Sequence, residues 1–300
     1  MTEETYRKLW KLKLEHLNLE SYGFPRSHPD HPTRAVLGFS QRPRPQQEPR
    51  ASESSGSEPE VLSGQSSRIC TRCGVAFKLD KQSRPQRQIC RYHPYQTTYK
   101  KKFRCCGRRE NARESPCKTA RQHVHSYFPP EALENFRPTR NNASQAKRIY
   151  ALKCAHVYTE KGTEVASVSL VDAFCSVVYE TKVRPESKIL DCDTEISGLR
   201  RRDLENVQKK LQDVIEDLNA LIGPKTILVG FRLQRDLTSL RMIHENVVEI
   251  TVLYPHKWAP RRTNSLYFLR RTFLSWENIQ APLKSREEAI TAMKLALHRL

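Results

Sequence analysis

The stretch Ile149–Val157, IYALKCAHV, constrains the fold of this chain more than any other. Its apolar residues and the basic segment before it predict a β-strand from which a domain is built outward. Glu164–Val171 (EVASVSLV) alternates and predicts a second strand, with Gly162 in the turn before it. Val177–Lys182 predicts a third, and three strands so closely spaced predict an antiparallel meander. From Leu204 to Ile222 apolar residues recur at helical spacing, and Gly223-Pro224 ends the run. Thr226–Val229 predicts a short buried strand, Leu233–Ile243 a helix and Val247–Thr251 a last strand. Ile290, Met293, Leu297 and Leu300 line one face of a C-terminal helix. The order is that of an α/β, ribonuclease-H-like fold: a mixed five-stranded sheet with flanking helices, over residues 148–300.

The chain before that strand reads as a separate, basic, cysteine-rich attachment. Residues 1–40 form a basic N-terminal segment. In it Tyr6, Leu9, Leu12, Leu14 and Leu17 predict one short helix, and His28-Pro29 and His31-Pro32 force an extended run. Residues 41–66 are rich in Pro, Ser, Glu and Gln, cannot bury a core, and predict a disordered linker. Residues 67–130 are the cysteine-rich module, and 131–147 a connector with a short helical piece.

The net charge of +19 points to a polyanionic partner, nucleic acid before acidic membrane. No stretch reaches the roughly 18 apolar residues that a membrane span needs. The N-terminus has no signal-peptide core, so a reducing compartment is expected. There, six of nine cysteines between Cys70 and Cys117 favour metal ligation over disulfides.

The spacings agree. Cys70-x-x-Cys73 and Cys90-x-x-His93 each aim two donors at one point through a tight turn. Cys105, Cys106, Cys117 and His123 complete eight ligands, which suit two closed, structural Zn2+ sites; a single site is the alternative. The division of ligands between ions is left open, and His125 competes with His123 for the last place. Lys100, Lys101, Lys102 and Arg104, with Tyr99 and Phe103 among them, suit phosphate contact with base stacking, or else a solvated charged face.

Several segments, taken in order, carry a resemblance. GTEVASVSLVD, VVYETKVRPESKILDCDTEISGL, TILVGFRLQRDL, MIHENVVEITVLYPH and SREEA, with RICTRCG, CRYHP, FRCC and CKTARQHV upstream, resemble the RNA exonuclease 1 homologue (GOR-type) family. The resemblance covers nearly the whole chain except the linker, and the upstream part resembles a CHORD-like two-zinc module. It implies a DEDDh-class 3′→5′ exoribonuclease fold. In that class four carboxylates hold two divalent cations, and a histidine acts as general base.

Carried over by position, the resemblance gives a degenerate site. Lys153 and Ala155 stand where the first two carboxylates belong. Asp236 is retained in the element Gly230–Asp236, Leu283 stands where the histidine is expected, and Glu288 supplies the fourth carboxylate. Mg2+ or Mn2+ is therefore expected to be lost. Even at an effective dielectric near 20, a unit charge 4 Å away is worth about 4 kcal/mol, and a divalent ion beside Lys153 faces roughly twice that. Lys153 is instead expected to pair with Asp236 and fill the metal's place. The bland readings are an acid at a helix start for Asp236 and a capping box Ser285-x-x-Glu288. His244 and His256 are expected to be structural, and Cys154, Cys175 and Cys192 to be buried apolar fillers.

The leading expectation is thus a pseudo-exonuclease that still binds the 3′ end of single-stranded RNA, with Arg232 and Arg235 holding phosphates and Arg200–Arg202, Arg261–Arg262 and Arg270–Arg271 as further basic clusters. An active 3′→5′ exoribonuclease and a scaffold that binds a protein partner through the zinc module are the alternatives. Nuclear localisation is expected, with the cytoplasm as the alternative.

Overall fold

The computed structural model describes residues 2–31, 33–38, 67–95, 102–103, 105–109, 116–127, 133–142, 146–257, 263–275 and 283–300. The expected linker 41–66 lies outside the described residues.

Two N-terminal helices come first, α1 (Glu3–Lys11) and α2 (His16–Ser21). The central sheet then runs through β1 (Ile149–Thr159), β2 (Gly162–Asp172), β3 (Val177–Lys182), β4 (Ile189–Asp191), β5 (Ile227–Gly230) and β6 (Val247–Glu249). Its order is β3-β2-β1-β5-β6, with β4 added beside the far end of β1. β1, β2 and β3 pair antiparallel, whereas β1–β5 and β5–β6 pair parallel. This is the mixed sheet of a ribonuclease-H-like fold, with β4 as a sixth strand that the sequence did not announce. Both β1 and β2 carry β-branched and small apolar residues along 11 positions, so they pair over their whole length.

Helices cover both faces. On one, α3 (Leu211–Leu221) and α4 (Leu233–Ser239) pack Val214, Leu218, Leu233 and Leu237 against Leu152, Cys154 and Leu228. On the other, α5 (Leu266–Phe273) and α6 (Ser285–His298) bring Leu269, Ala292 and Met293 onto Ala151, Ile227 and Val229. Successive side chains of a strand alternate between faces, so Lys153 follows Ala151 onto the α6 side.

The N-terminal segment does not stand apart from this core. Tyr6 and Leu9 of α1 are buried in the α6-side cluster, while Leu14, Leu19 and Phe24 enter the opposite one. The Leu14 amide donates to the Val247 carbonyl at 2.8 Å, tying the chain to β6, and this spent amide explains why two helices replace the single one expected.

Three further boundaries differ from expectation. The helix expected from Leu204 starts only at Leu211, because the Asp213 carboxylate caps the Lys210 amide and Leu204 turns into a small cluster with Ala155 and Leu199. The helix from Leu233 stops at Ser239; Arg241 takes φ 49° and Met242–Ile243 pairs with Arg137–Pro138. β6 ends at Glu249, whose side chain accepts from the Thr251 amide and starts the short helix Ile250–Leu253.

Candidate functional site

β1, α4 and α6 converge on one ion cluster, buried at Asp236 and partly exposed at Lys153 and Glu288. Lys153 Nζ lies 3.0 Å from Asp236 Oδ2, 3.3 Å from Asp236 Oδ1 and 3.4 Å from the Phe231 carbonyl. Glu288 Oε2 is 3.9 Å from the same ammonium. Asp236 is fully buried. Burial alone would depress Lys153, but the carboxylates of Asp236 and Glu288 outweigh it and hold the ammonium above its ordinary pKa. Burial raises the carboxyls of Asp236 and Glu288, and Lys153 opposes both shifts. The ammonium thus has three oxygen atoms within 3.4 Å, both of Asp236 and the Phe231 carbonyl, with Glu288 as a more distant counter-charge.

The neighbouring positions are apolar. Ala155 is buried and faces a groove of about 370 Å³ that is also lined by Ser167, Glu180, Lys284 and Ser285. Leu283 is half-buried just before α6. Ser285 does not form the expected capping box. Its hydroxyl lies 2.8 Å from Ser169 and 3.2 Å from Ser167 on β2, and Lys284 occupies the N-cap. Glu288 is thereby left to face Lys153. A divalent cation does not fit this donor set: two carboxylates remain, and an ammonium sits on both.

One organising residue carries no sequence signal. Glu249 is buried, and its carboxylate accepts from the amides of Arg232 and Leu233 at 2.9 Å each and from Thr251 Oγ1 at 2.8 Å. It fixes the start of α4, where Arg232 adopts φ 57°, and so sets the position of Asp236. Arg232 and Arg235 are exposed, and Arg232 also donates to Thr263 Oγ1 at 3.1 Å. Of the basic residues in the cysteine-rich module, Lys102 is exposed, whereas Lys100, Lys101 and Arg104, with Tyr99, lie outside the described residues, as do Arg261 and Arg262.

The histidines are held in place by the fold. His156 Nε2 lies 2.9 Å from Ser239 Oγ, and burial pushes the imidazole well below its ordinary value. His244 Nε2 donates to the Thr226 carbonyl at 2.8 Å, and Nδ1 lies 2.6 Å from Thr139 Oγ1. Cys154 and Cys192 are buried, but Cys175 is half-exposed in the β2–β3 turn with φ 64°.

The cysteine-rich module presents two separate tetrads. Cys70, Cys73, Cys90 and His123 place their donor atoms within 4.8 Å of one another, and so do His93, Cys105, Cys106 and Cys117. Cys70 Sγ is 3.7 Å from Cys90 Sγ, and Cys73 Sγ is 3.3 Å from His123 Nδ1. In the second group His93 Nδ1 is 3.4 Å from Cys105 and 3.6 Å from Cys106. A tetrahedral ion with Zn–S near 2.3 Å needs sulfurs roughly 3.8 Å apart, so both Cys₃His sets fit a closed zinc site. His125 belongs to neither; its Nδ1 accepts from the Tyr127 amide. The first tetrad is largely buried, while the second leaves Cys106 exposed.

Among the described residues no helix is long and apolar enough to cross a membrane.

The strand order and the β1–α4–α6 convergence define a ribonuclease-H-like domain of exonuclease type, packed against a Cys/His module. The chain belongs to the RNA exonuclease 1 homolog/GOR exonuclease family. It is 30% identical to Candida albicans "RNA exonuclease 3" over 76% of this chain. It is 29% identical to human "RNA exonuclease 1 homolog" and 30% identical to human "Putative exonuclease GOR", each over 98% of this chain. It spans 57%, 24% and 43% of those three relatives, in that order. No protein-family model matches. The nuclease modules of Neurospora crassa and Saccharomyces cerevisiae Pan2 overlay 57% and 58% of this chain and 28% and 30% of their own chains, at 19% and 17% identity. The TM-scores are 0.45 and 0.47.

Proposed function

We propose that this protein is a catalytically silent member of its exonuclease family that binds single-stranded RNA near the 3′ end. One observation carries the reading: the Lys153 ammonium sits 3.0 Å from Asp236 and 3.9 Å from Glu288, where a nuclease would hold divalent cations. Lys153 places positive charge there permanently and needs no metal. Ala155 and Leu283, beside it, offer neither a carboxylate nor an imidazole to activate a water. Asp236 and Glu288 then serve to neutralise Lys153 and to pin α4 and α6 to β1.

Binding rests on charge. The chain carries +19, and Arg232 and Arg235 lie exposed at the start of α4, beside the ion cluster. Phosphates there would meet guanidinium groups in place of metal ions. The zinc module supplies rigid structure in this account, since both tetrads are closed by four protein donors.

The test is fluorescence anisotropy with a labelled single-stranded RNA. Affinity should fall steeply between about 50 and about 200 mM salt, with a log–log slope near −0.7 per phosphate contacted. Arg232→Glu/Arg235→Glu should weaken binding and flatten the slope. RNA that never binds at low salt would reject this reading in favour of a protein-binding scaffold.

A further inference from the structure

Arg72 lies inside the first zinc knuckle, between Cys70 and Cys73, and its side chain is only 4% exposed. It points out of the module. Its Nη2 is 3.0 Å from Asp191 Oδ2 and 3.8 Å from Asp193 Oδ1. Its guanidinium carbon lies 4.8 Å from the Tyr92 ring centroid and 4.7 Å from that of Tyr158. Tyr92 belongs to the module, two residues after Cys90 and next to His93. Tyr158 and Asp191 belong to the sheet domain and are register partners in the β1–β4 pair. The guanidinium is therefore shared between one ring from each side and closed off by two carboxylates from the sheet side.

The contact around it is continuous. Tyr158 and Leu190 pack against the module's own core of Cys70, Phe77, Leu79, Cys90 and Val124. Lys118 Nζ reaches Glu195 Oε1 at 2.6 Å, and Tyr95 donates to the Glu195 carbonyl at 3.1 Å. At the β1–β2 turn, Gly162 has φ 116°, and a Cβ there would meet the His125 ring at 3.3 Å.

We propose that metal binding at the Cys70–Cys73–Cys90–His123 site seats Arg72 in this clamp and thereby couples the cysteine-rich module to β1, the strand that carries Lys153. The physical reason is the geometry of the knuckle. Thr71 and Arg72 form the two-residue bridge of a turn whose ends are both ligands. With the ion bound, the turn is closed and the Arg72 side chain leaves it in one direction. Without the ion, four donors relax, and a buried guanidinium keeps its place only if the turn holds by itself. A buried ion pair depends on good geometry from both partners, so loosening one side releases the other. The second tetrad leaves Cys106 exposed and sends no side chain from its Cys105-Cys106 step into the clamp; it meets the seam through residues beside its ligands, Tyr92 next to His93 and Lys118 next to Cys117. This coupling stands whether or not the domain binds RNA.

The experiment is hydrogen exchange by mass spectrometry on the full chain, zinc-loaded and after chelation. Three variants of the zinc-loaded chain, Arg72→Met, Arg72→Lys and Cys106→Ser, are run beside it. Chelation should speed exchange at residues 154–159 and 187–192, while Ile227–Gly230 in the sheet centre stays protected. Arg72→Met should give the same local pattern with zinc content unchanged from the native chain, and Arg72→Lys should restore part of the protection. Cys106→Ser should lower zinc content and leave 154–159 protected. Unchanged protection at 154–159 after chelation would overturn the proposal. So would equal loss at Ile227–Gly230, which would report global unfolding in place of a local release, or loss of zinc on Arg72→Met.

Discussion

Lys153 and Asp236, 83 residues apart in sequence, meet at 3.0 Å where a strand and a helix cross, and the carboxylate is fully buried. The pair joins β1 to α4 at the centre of the proposed degenerate site, so the same contact bears on stability and on the proposed function. Removing one partner of such a pair leaves an uncompensated buried charge, whereas replacing both with apolar groups is often neutral. Lys153→Met is therefore expected to destabilise the domain by about 3–5 kcal/mol. Lys153→Met/Asp236→Leu is expected to recover most of that loss. Urea unfolding of the two variants and the native chain checks both.

Leu9 tests the role of the N-terminal helix. It is fully buried beside Ile149 and Ala292, and the Tyr6 hydroxyl donates to the Lys225 carbonyl at 2.7 Å. Leu9→Ala should cost about 2–5 kcal/mol, the range for a buried leucine whose site collapses only partly. An exposed neighbour on the same helix, Arg7→Ala, should change stability by less than about 0.5 kcal/mol. Equal effects in thermal melts would mean that the segment does not belong to the core.

How much of this was legible in the sequence depended on the kind of signal. β3 was legible to the residue, and the eight Cys and His donors stood out because metal ligation imposes fixed spacings. Their division into two tetrads was not legible: Cys90-x-x-His93, expected to aim both donors at one ion, is split between the tetrads, whereas adjacent Cys105 and Cys106 share one. Apolar periodicity misled at Leu204 and Val207, which keep helical spacing with Leu211 but pack beside Ala155 and Leu199. It also missed Glu249, an acid within VVEIT whose four acceptor contacts come from residues up to 17 positions away. Ser285 read as a helix cap because the motif describes only neighbours in sequence, and β2 supplied better partners.

His244 gives the domain a pH dependence with a definite sign. Burial, opposed by hydrogen bonds with Thr226 and Asn246, pushes it down to about 4 from an ordinary 6.5. The folded state thus takes up a proton less readily than the unfolded chain. Its contribution is complete above pH 6.5 and is lost as pH falls toward 4, at about 1.4 kcal/mol per unit. Between pH 7 and pH 5 the native chain should lose about 2 kcal/mol more than His244→Gln. Chemical denaturation at the two pH values measures the difference.

The central claim, that Lys153 has taken the place of the catalytic metals, is tested most directly by incubating the purified protein with 5′-labelled single-stranded RNA and Mg2+ or Mn2+, beside an Asp236→Ala variant. The account predicts intact RNA with both proteins and both metals, at salt concentrations where the RNA is bound. A metal-dependent ladder of 3′-shortened products from the native chain, absent with Asp236→Ala, would contradict it and make Asp236 a metal ligand.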